Sequence, residues 1–199
     1  MAKASNIILG ILAVIVIIAV AVVLYFVGIY NEMVAKDEGV KTAWSQVENQ
    51  YQRRADLIQN LVNTVQGYAD FESETLEAVI NARSKATQTQ VNVNDSSAFA
   101  QFQQNQDSLT AALGKLLVVV EQYPELKANQ SFLELQAQLE GTENRLSVAR
   151  KNFNETVKEY NIYIRQLPKN FVAGMFNFKA ANLFENQAGT EVVPVVEFN

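Results

Sequence analysis

The sequence predicts an all-α protein. An N-terminal transmembrane helix continues into an antiparallel bundle of long helices, followed by a short C-terminal helix and an extended tail. Three observations carry this. No charged residue lies between Ala4 and Asn31, and Ile7–Tyr30 is almost wholly Ile, Val, Leu, Ala, Phe and Gly. Beyond Gly39 the apolar residues recur at alternating steps of three and four, which keeps them on one helical face. Of the three prolines the first is Pro124, so nothing before it forces a helix to stop.

The apolar run comes first. At about 1.5 Å per residue it spans roughly 36 Å, enough to cross a ~30 Å hydrocarbon core with some tilt. A cleaved signal peptide would have an apolar core of about 7–15 residues and then a small-x-small site. Here the run is longer, and Tyr25, Phe26 and Tyr30 stand where small residues would be needed. With no cysteine in the chain, a lipidated N-terminal cysteine is excluded. The expected organisation is a short tail over 1–6, the span over 7–30, a helical bundle over 31–186 and an extended tail over 187–199.

The bundle reads as three stripes. The first is Val40, Trp44, Val47, Tyr51, Arg54, Ile58, Leu61, Val65 and Tyr68. Phe71, Leu76, Val79 and Ile80 continue it to about Lys85, with Gly28, Gly39 and Gly67 as soft points. Thr87–Ser97 is polar and Asn-rich and reads as a loop, with Asp95, Ser96 or Ser97 able to cap the next helix. The second stripe, Phe99, Phe102, Gln106, Leu109, Leu113, Leu116, Val120 and Tyr123, ends at Pro124. The third runs from Phe132 through Leu139, Glu143, Leu146, Arg150, Phe153, Val157, Tyr160 and Ile164 to Leu167, before Pro168. Three stripes with short connections predict three antiparallel helices. Asn170–Asn186 is Phe-rich and suits a short helix, and the Val residues and Pro194 beyond Gly189 suit an extended tail.

Composition narrows the chemistry. With Lys3 set aside, 15 basic residues remain beside 21 acidic ones, a net charge of −6 beyond the anchor. Such a domain has no electrostatic attraction to nucleic acid or anionic lipid. The absence of histidine and cysteine excludes Ser-His or Cys-His triads, zinc and haem ligation and Glu-x-x-His di-iron sites. Asp70, Glu72, Glu74 and Glu77 crowd together, but acidic side chains favour a helix start, so a cap is the plainer reading than an acid/base pair. Asp37–Glu38 lacks convergent partners and reads as a wet juxtamembrane turn. No catalytic residue, metal or cofactor is expected.

The stretches AWSQVENQYQRRADLIQNLVNTVQGYADFESETLEAV (Ala43–Val79), ENRLSVARKNFNETVKEYN (Glu143–Asn161) and LPKNFVAGMFNFK (Leu167–Lys179) resemble the LemA family of bacterial membrane proteins. With the anchor and the PVVEF ending, the resemblance covers nearly the whole chain. Gln59 departs from it, standing where many relatives carry proline. The resemblance implies an N-terminal membrane helix before an antiparallel helical bundle, in the bacterial cytoplasmic (inner) membrane. It supplies no reaction and no catalytic residues.

Two groups of residues are candidates for a role beyond packing. Arg54, Glu143 and Arg150 occupy seam positions, and an Arg–Glu pair there would fix helix register. The plainer alternative shifts the seam by one, so that Ala55, Thr142 and Ala149 face the core and the charges stay partly wet. Phe171, Met175, Phe176 and Phe178 either close the open end of the bundle or meet lipid or a partner, and closure is the plainer role. In the tail, Val193, Val195 and Phe198 could add to a partner's sheet edge, although disorder there is an equal expectation. Val62, Leu117 and Val118 would form a further apolar side, buried only in a homo-oligomer.

The expected function is a membrane-anchored, non-enzymatic scaffold or adaptor acting through helix-helix or oligomeric contacts. The alternative is an accessory or recognition subunit of a membrane protease, transporter or envelope enzyme, binding through its C-terminal segment. Lys3 before the anchor and Lys36 and Lys41 after it set little orientation bias against Glu32, Asp37 and Glu38. An uncleaved signal-anchor places the bundle outside the cytoplasm, which is the side expected here.

Overall fold

The computed structural model describes residues 2–67, 73–88 and 91–184, with side chains from residue 9 onward. The fold is all-α: among the described residues there are helices and loops and no strand. Helix α1, Ala2–Gln66, runs unbroken for 65 residues through both Gly28 and Gly39. Its most apolar 18-residue window has a mean hydropathy of 3.2 and is wholly exposed. Among the described residues, no other helix is long and apolar enough to cross a membrane. From Ile29 onward the same helix begins to bury a face, with Ile29, Met33, Val40, Trp44, Val47, Tyr51, Ile58, Leu61 and Val65 all inside. Anchor and bundle are therefore one rod. Asp37 and Glu38 lie within it rather than in a turn, and both pair with Lys41 one turn on (2.8 and 2.6 Å).

The first stripe does not form a single element to Lys85. Helix α1 stops at Gln66, Gly67 lies in a turn, and α2 (Ser73–Gln88) runs back alongside it. The reversal is seen in the pairing. Leu76 and Val79 join the cluster of Leu61, Val62 and Val65, while Arg83 Nε donates to Ala55 O at 2.8 Å. Three predicted helices are thus four. A stripe repeats with the same period whether the helix continues or turns back, so periodicity alone cannot locate the reversal.

Asp95 caps α3 (Ser96–Val120), accepting from the Ser97 and Ala98 amides at 2.9 and 3.1 Å. Helix α3 runs parallel to α1, with Phe99 and Phe102 against Trp44 and Thr110 beside Arg54. Pro124 opens a single turn, α4 (Pro124–Lys127), whose fully buried Leu126 plugs the membrane-distal end. Asn129 then caps α5 (Gln130–Arg165), which returns along α1 for 36 residues. The order is up-down-up-down, with one aromatic cluster near the membrane (Trp44, Phe99, Phe153, Phe184) and one aliphatic cluster far from it (Ile58, Leu61, Leu109, Leu116).

Among its described residues, the Phe-rich segment is helical only over α6, Lys169–Met175. Asn177 takes a left-handed φ of 58°, a conformation asparagine tolerates, and the Phe178 amide donates back to Ala173 O at 2.9 Å. The chain then runs extended along α5. Two asparagines seven residues apart on α5 hold it, each as donor and acceptor at once. Asn161 pairs with the backbone of Ala181 (2.9 and 3.0 Å) and Asn154 with that of Phe184 (3.0 and 2.9 Å). Tyr160 adds a hydroxyl donated to Lys179 O at 2.9 Å, and burial, helped by the Asp37 charge, pushes its pKa up to about 12. Replacing either asparagine by alanine leaves a part-buried backbone donor and acceptor unpaired, at about 1–3 kcal/mol. The expected readout is faster amide hydrogen exchange at 181 and 184, with the far aliphatic cluster unchanged; unaltered exchange would show that the clamp holds nothing.

Candidate functional site

Two places on the bundle gather polar or exposed apolar side chains in ways that simple packing does not require. The first is a belt of cross-links at mid-height, where the two clusters meet. Arg54 on α1 is buried, 4% exposed, and its guanidinium bridges to the two helices α3 and α5. It donates to Thr110 Oγ1 on α3 at 2.7 Å and pairs with Glu143 Oε2 on α5 at 3.5 Å. Glu143 is itself half exposed, so the pair has one buried and one wet partner. Ala55 and Thr142 are also buried, and Ala149 partly. The buried face of α1 is wide enough here to take both Arg54 and its neighbour.

Arg150 pairs not with Glu143 but with Tyr51, donating to its hydroxyl through both Nε (2.8 Å) and Nη2. Its guanidinium also lies 5.2 Å from the ring centres of Tyr51 and Phe184. Burial raises the Tyr51 pKa, against the pull of the Arg150 charge, so the phenol stays a neutral acceptor. Two further links complete the belt: Arg83 on α2 to the α1 backbone, and Gln106 Nε2 on α3 to Ala86 O on α2 at 3.3 Å. Each of the four long helices is tied to another by at least one side-chain hydrogen bond or ion pair. Thr110, Arg83 and the Tyr51 hydroxyl are not legible as belt members in the sequence because their partners lie on other helices.

The second place is the membrane-proximal end. Val172, Ala173, Ala181 and Phe184 close the bundle there, and Phe178 packs partly against the same cluster. Phe171, Met175 and Phe176 do not join them and stand 66%, 77% and 53% exposed. Helix α6 instead lies against the end of the apolar run, with Phe176 4.6 Å and Phe178 5.9 Å from the Tyr30 ring. Lys169, at the start of α6, sits 3.9 Å from the Tyr163 ring centre and donates to Gln166 at 2.7 Å.

Val193, Val195 and Phe198 lie outside the described residues, as do Tyr68, Asp70, Phe71 and Glu72. Glu74 and Glu77 are exposed, Glu74 in the first turn of α2. Of the apolar side offered for oligomerisation, Val62 is covered by α2 and Leu117 packs partly on the core, leaving Val118 exposed. Among the described residues, no group of three or more Asp or Glu is placed to hold a metal ion.

Comparison with known proteins finds a matching family model and several similar sequences. The model of the LemA family matches residues 43–198. The chain is 25% identical over 177 residues to Magnetosome protein MamQ 2 of Paramagnetospirillum magneticum, covering 79% of this chain and 65% of that one. It is 26% identical over 160 residues to Protein LemA of Metamycoplasma hominis, covering 80% and 70%. With MamQ of Magnetospirillum gryphiswaldense the identity is 25% over 180 residues, covering 80% and 66%. The chain thus spans just under two thirds of the length of the MamQ proteins it matches.

Proposed function

We propose, from the premise that this chain belongs to the LemA family, that it is a membrane-anchored, non-enzymatic scaffold that presents its bundle to other proteins or to further copies of itself. One observation supports this above the others: the anchor is the bundle's own axis. Residues beyond Tyr30 extend α1 by roughly 50 Å at about 1.5 Å per residue, so the bundle is held upright rather than tethered. The cross-linked belt favours the same reading, because its charged groups are engaged in joining helices and are not gathered into an enclosed pocket. The sequence also lacks the histidine and cysteine on which most hydrolytic and redox sites depend.

Cross-linking of the full chain in native membranes tests it, together with a variant lacking Thr190–Asn199. A scaffold gives adducts of two or more chains, or of this chain with a constant partner, and keeps them without the tail. Loss of every adduct on tail deletion would favour recruitment through the C-terminal segment, and a persistent monomer with no partner would remove the scaffold reading. The bundle is placed outside the cytoplasm in this proposal. The cysteine-free chain offers a direct check, since Gln88→Cys, at the exposed C-terminal end of α2, should react with a membrane-impermeant thiol reagent added to intact cells.

A further inference from the structure

We propose that α6 is a second membrane-contact element, seated in the acyl region of the leaflet nearest the bundle, and that the groove between α6 and α1 is occupied by a lipid acyl chain. The groove measures about 440 Å³. Val23, Phe26 and Val27 form one wall, and Phe171, Met175 and Phe176 form the other. The occupant follows from the first wall. Those three α1 residues are the last turns of the apolar run that crosses the bilayer, so the groove opens directly onto a surface that lipid already covers. Tyr30 carries the one polar side-chain group among the residues lining the groove; the rest are apolar.

Depth and polarity agree. Val23 lies seven residues below Tyr30, or about 10 Å along the helix axis, and interfacial helices bury themselves by roughly 5–10 Å. In water, Phe171 and Met175 would leave large side chains bare at neighbouring positions; in the acyl region the same exposure is favourable. Backbone satisfaction matters as much, because an unpaired amide or carbonyl is costly in hydrocarbon. Part of the backbone at each end of α6 is paired. The Asn170 and Phe171 amides donate to Gln166 O and Pro168 O, and the Phe176 and Phe178 amides donate to Val172 O and Ala173 O. Pro168 has no amide to satisfy.

The boundary of the wedge is marked by Lys169. Its stem and ammonium fold back over Tyr163 on the bundle side, and Lys36 approaches the same ring at 5.5 Å. This arrangement suits cations held at headgroup level above buried apolar stems. Two contacts, α1 and α6, would then prevent the bundle from rotating about its own anchor. The inference needs the span to lie in a bilayer, but it does not depend on the scaffold role.

The test uses the full chain, whose lack of cysteine allows single nitroxide labels. Met175→Cys and Phe171→Cys are labelled in vesicles of phosphatidylcholine and phosphatidylglycerol. Leu24→Cys, in the span, and Val118→Cys, at the exposed far end, are the references. Collisions with oxygen, which partitions into lipid, are compared with collisions with a water-soluble nickel chelate. The proposal expects labels at 175 and 171 to match position 24: high oxygen collision, with most of the nickel collision seen at position 118 lost. Nickel collision equal to that at position 118 would place α6 in water and overturn it. Protection from both reagents would overturn it too, since the face would then be covered by protein.

Discussion

Replacing Arg54 by glutamate is expected to lower the melting temperature of the bundle by about 10 °C. The substitution buries a carboxylate where the native side chain is 4% exposed, removes the bond to Thr110 and sets two acids side by side with Glu143. Breaking a buried pair from one side costs about 3–5 kcal/mol. The exposure of Glu143 places this case at the lower end, because water relieves part of the repulsion. For a domain of this size each kcal/mol moves the midpoint by roughly 2–4 °C. Arg54→Met should cost much less, about 1 kcal/mol, because it leaves no buried charge and the Glu143 carboxylate it frees is half exposed to water. The Arg54→Glu, Glu143→Arg double variant should regain at least half of the loss. Thermal unfolding of the full chain in nanodiscs reads all three. Equal melting of the Glu and Met variants, or a double variant no better than Arg54→Glu, would mean that the pair does not set the register of α1 against α5.

A proline at Ala35 should be nearly as damaging, and its effect should be felt in a different place. Ala35 is exposed on α1, between the buried Met33 and Val40, so its side chain contributes little packing. Proline there removes the amide bonded to the Asn31 carbonyl and collides with that carbonyl, at about 3 kcal/mol or more. The kink falls where the membrane helix becomes the bundle axis. The membrane-proximal cluster of Ile29, Met33, Tyr160 and Ile164 should loosen, while the Ile58–Leu116 cluster keeps its protection. Ala35→Gly, costing about 1 kcal/mol, serves as the flexible control. Amide hydrogen exchange resolved along α1 and α5 decides the matter. Uniform destabilisation of both clusters, or none of either, would contradict a rod that couples anchor to bundle through its backbone.

Much of this was legible in the residues. Three-four spacing placed Trp44, Tyr51, Leu109 and Phe153 inside, and they are inside. Asp95 was among the named caps for α3, and it is the one that caps it. What failed did so for identifiable reasons. The stripe from Val40 to Ile80 kept its phase across Gly67, and a reversal preserves that phase, so α1 and α2 looked like one helix. Segment 177–184 looked helical by composition, but Asn154 and Asn161 supply hydrogen bonds to an extended backbone from another element, which no local propensity records. Arg54, Glu143 and Arg150 stand out in the sequence as polar seam residues. That Arg54 reaches Thr110 as well as Glu143, and that Arg150 turns to Tyr51, depends on where α3 and α5 stand.

The sequence by itself determined the candidate membrane span, the all-α class, the burial stripes and the absence of histidine and cysteine chemistry, because each depends on composition or on the 3.6-residue period of one helix. Only the tertiary structure decided that four helices and not three enclose the core, that a belt of arginines and a glutamine ties them together, and that α6 turns Phe171, Met175 and Phe176 away from the bundle beside the last turns of the anchor. Those outcomes rest on which faces of separate helices meet, and a one-dimensional period carries no information about the neighbour a face will find.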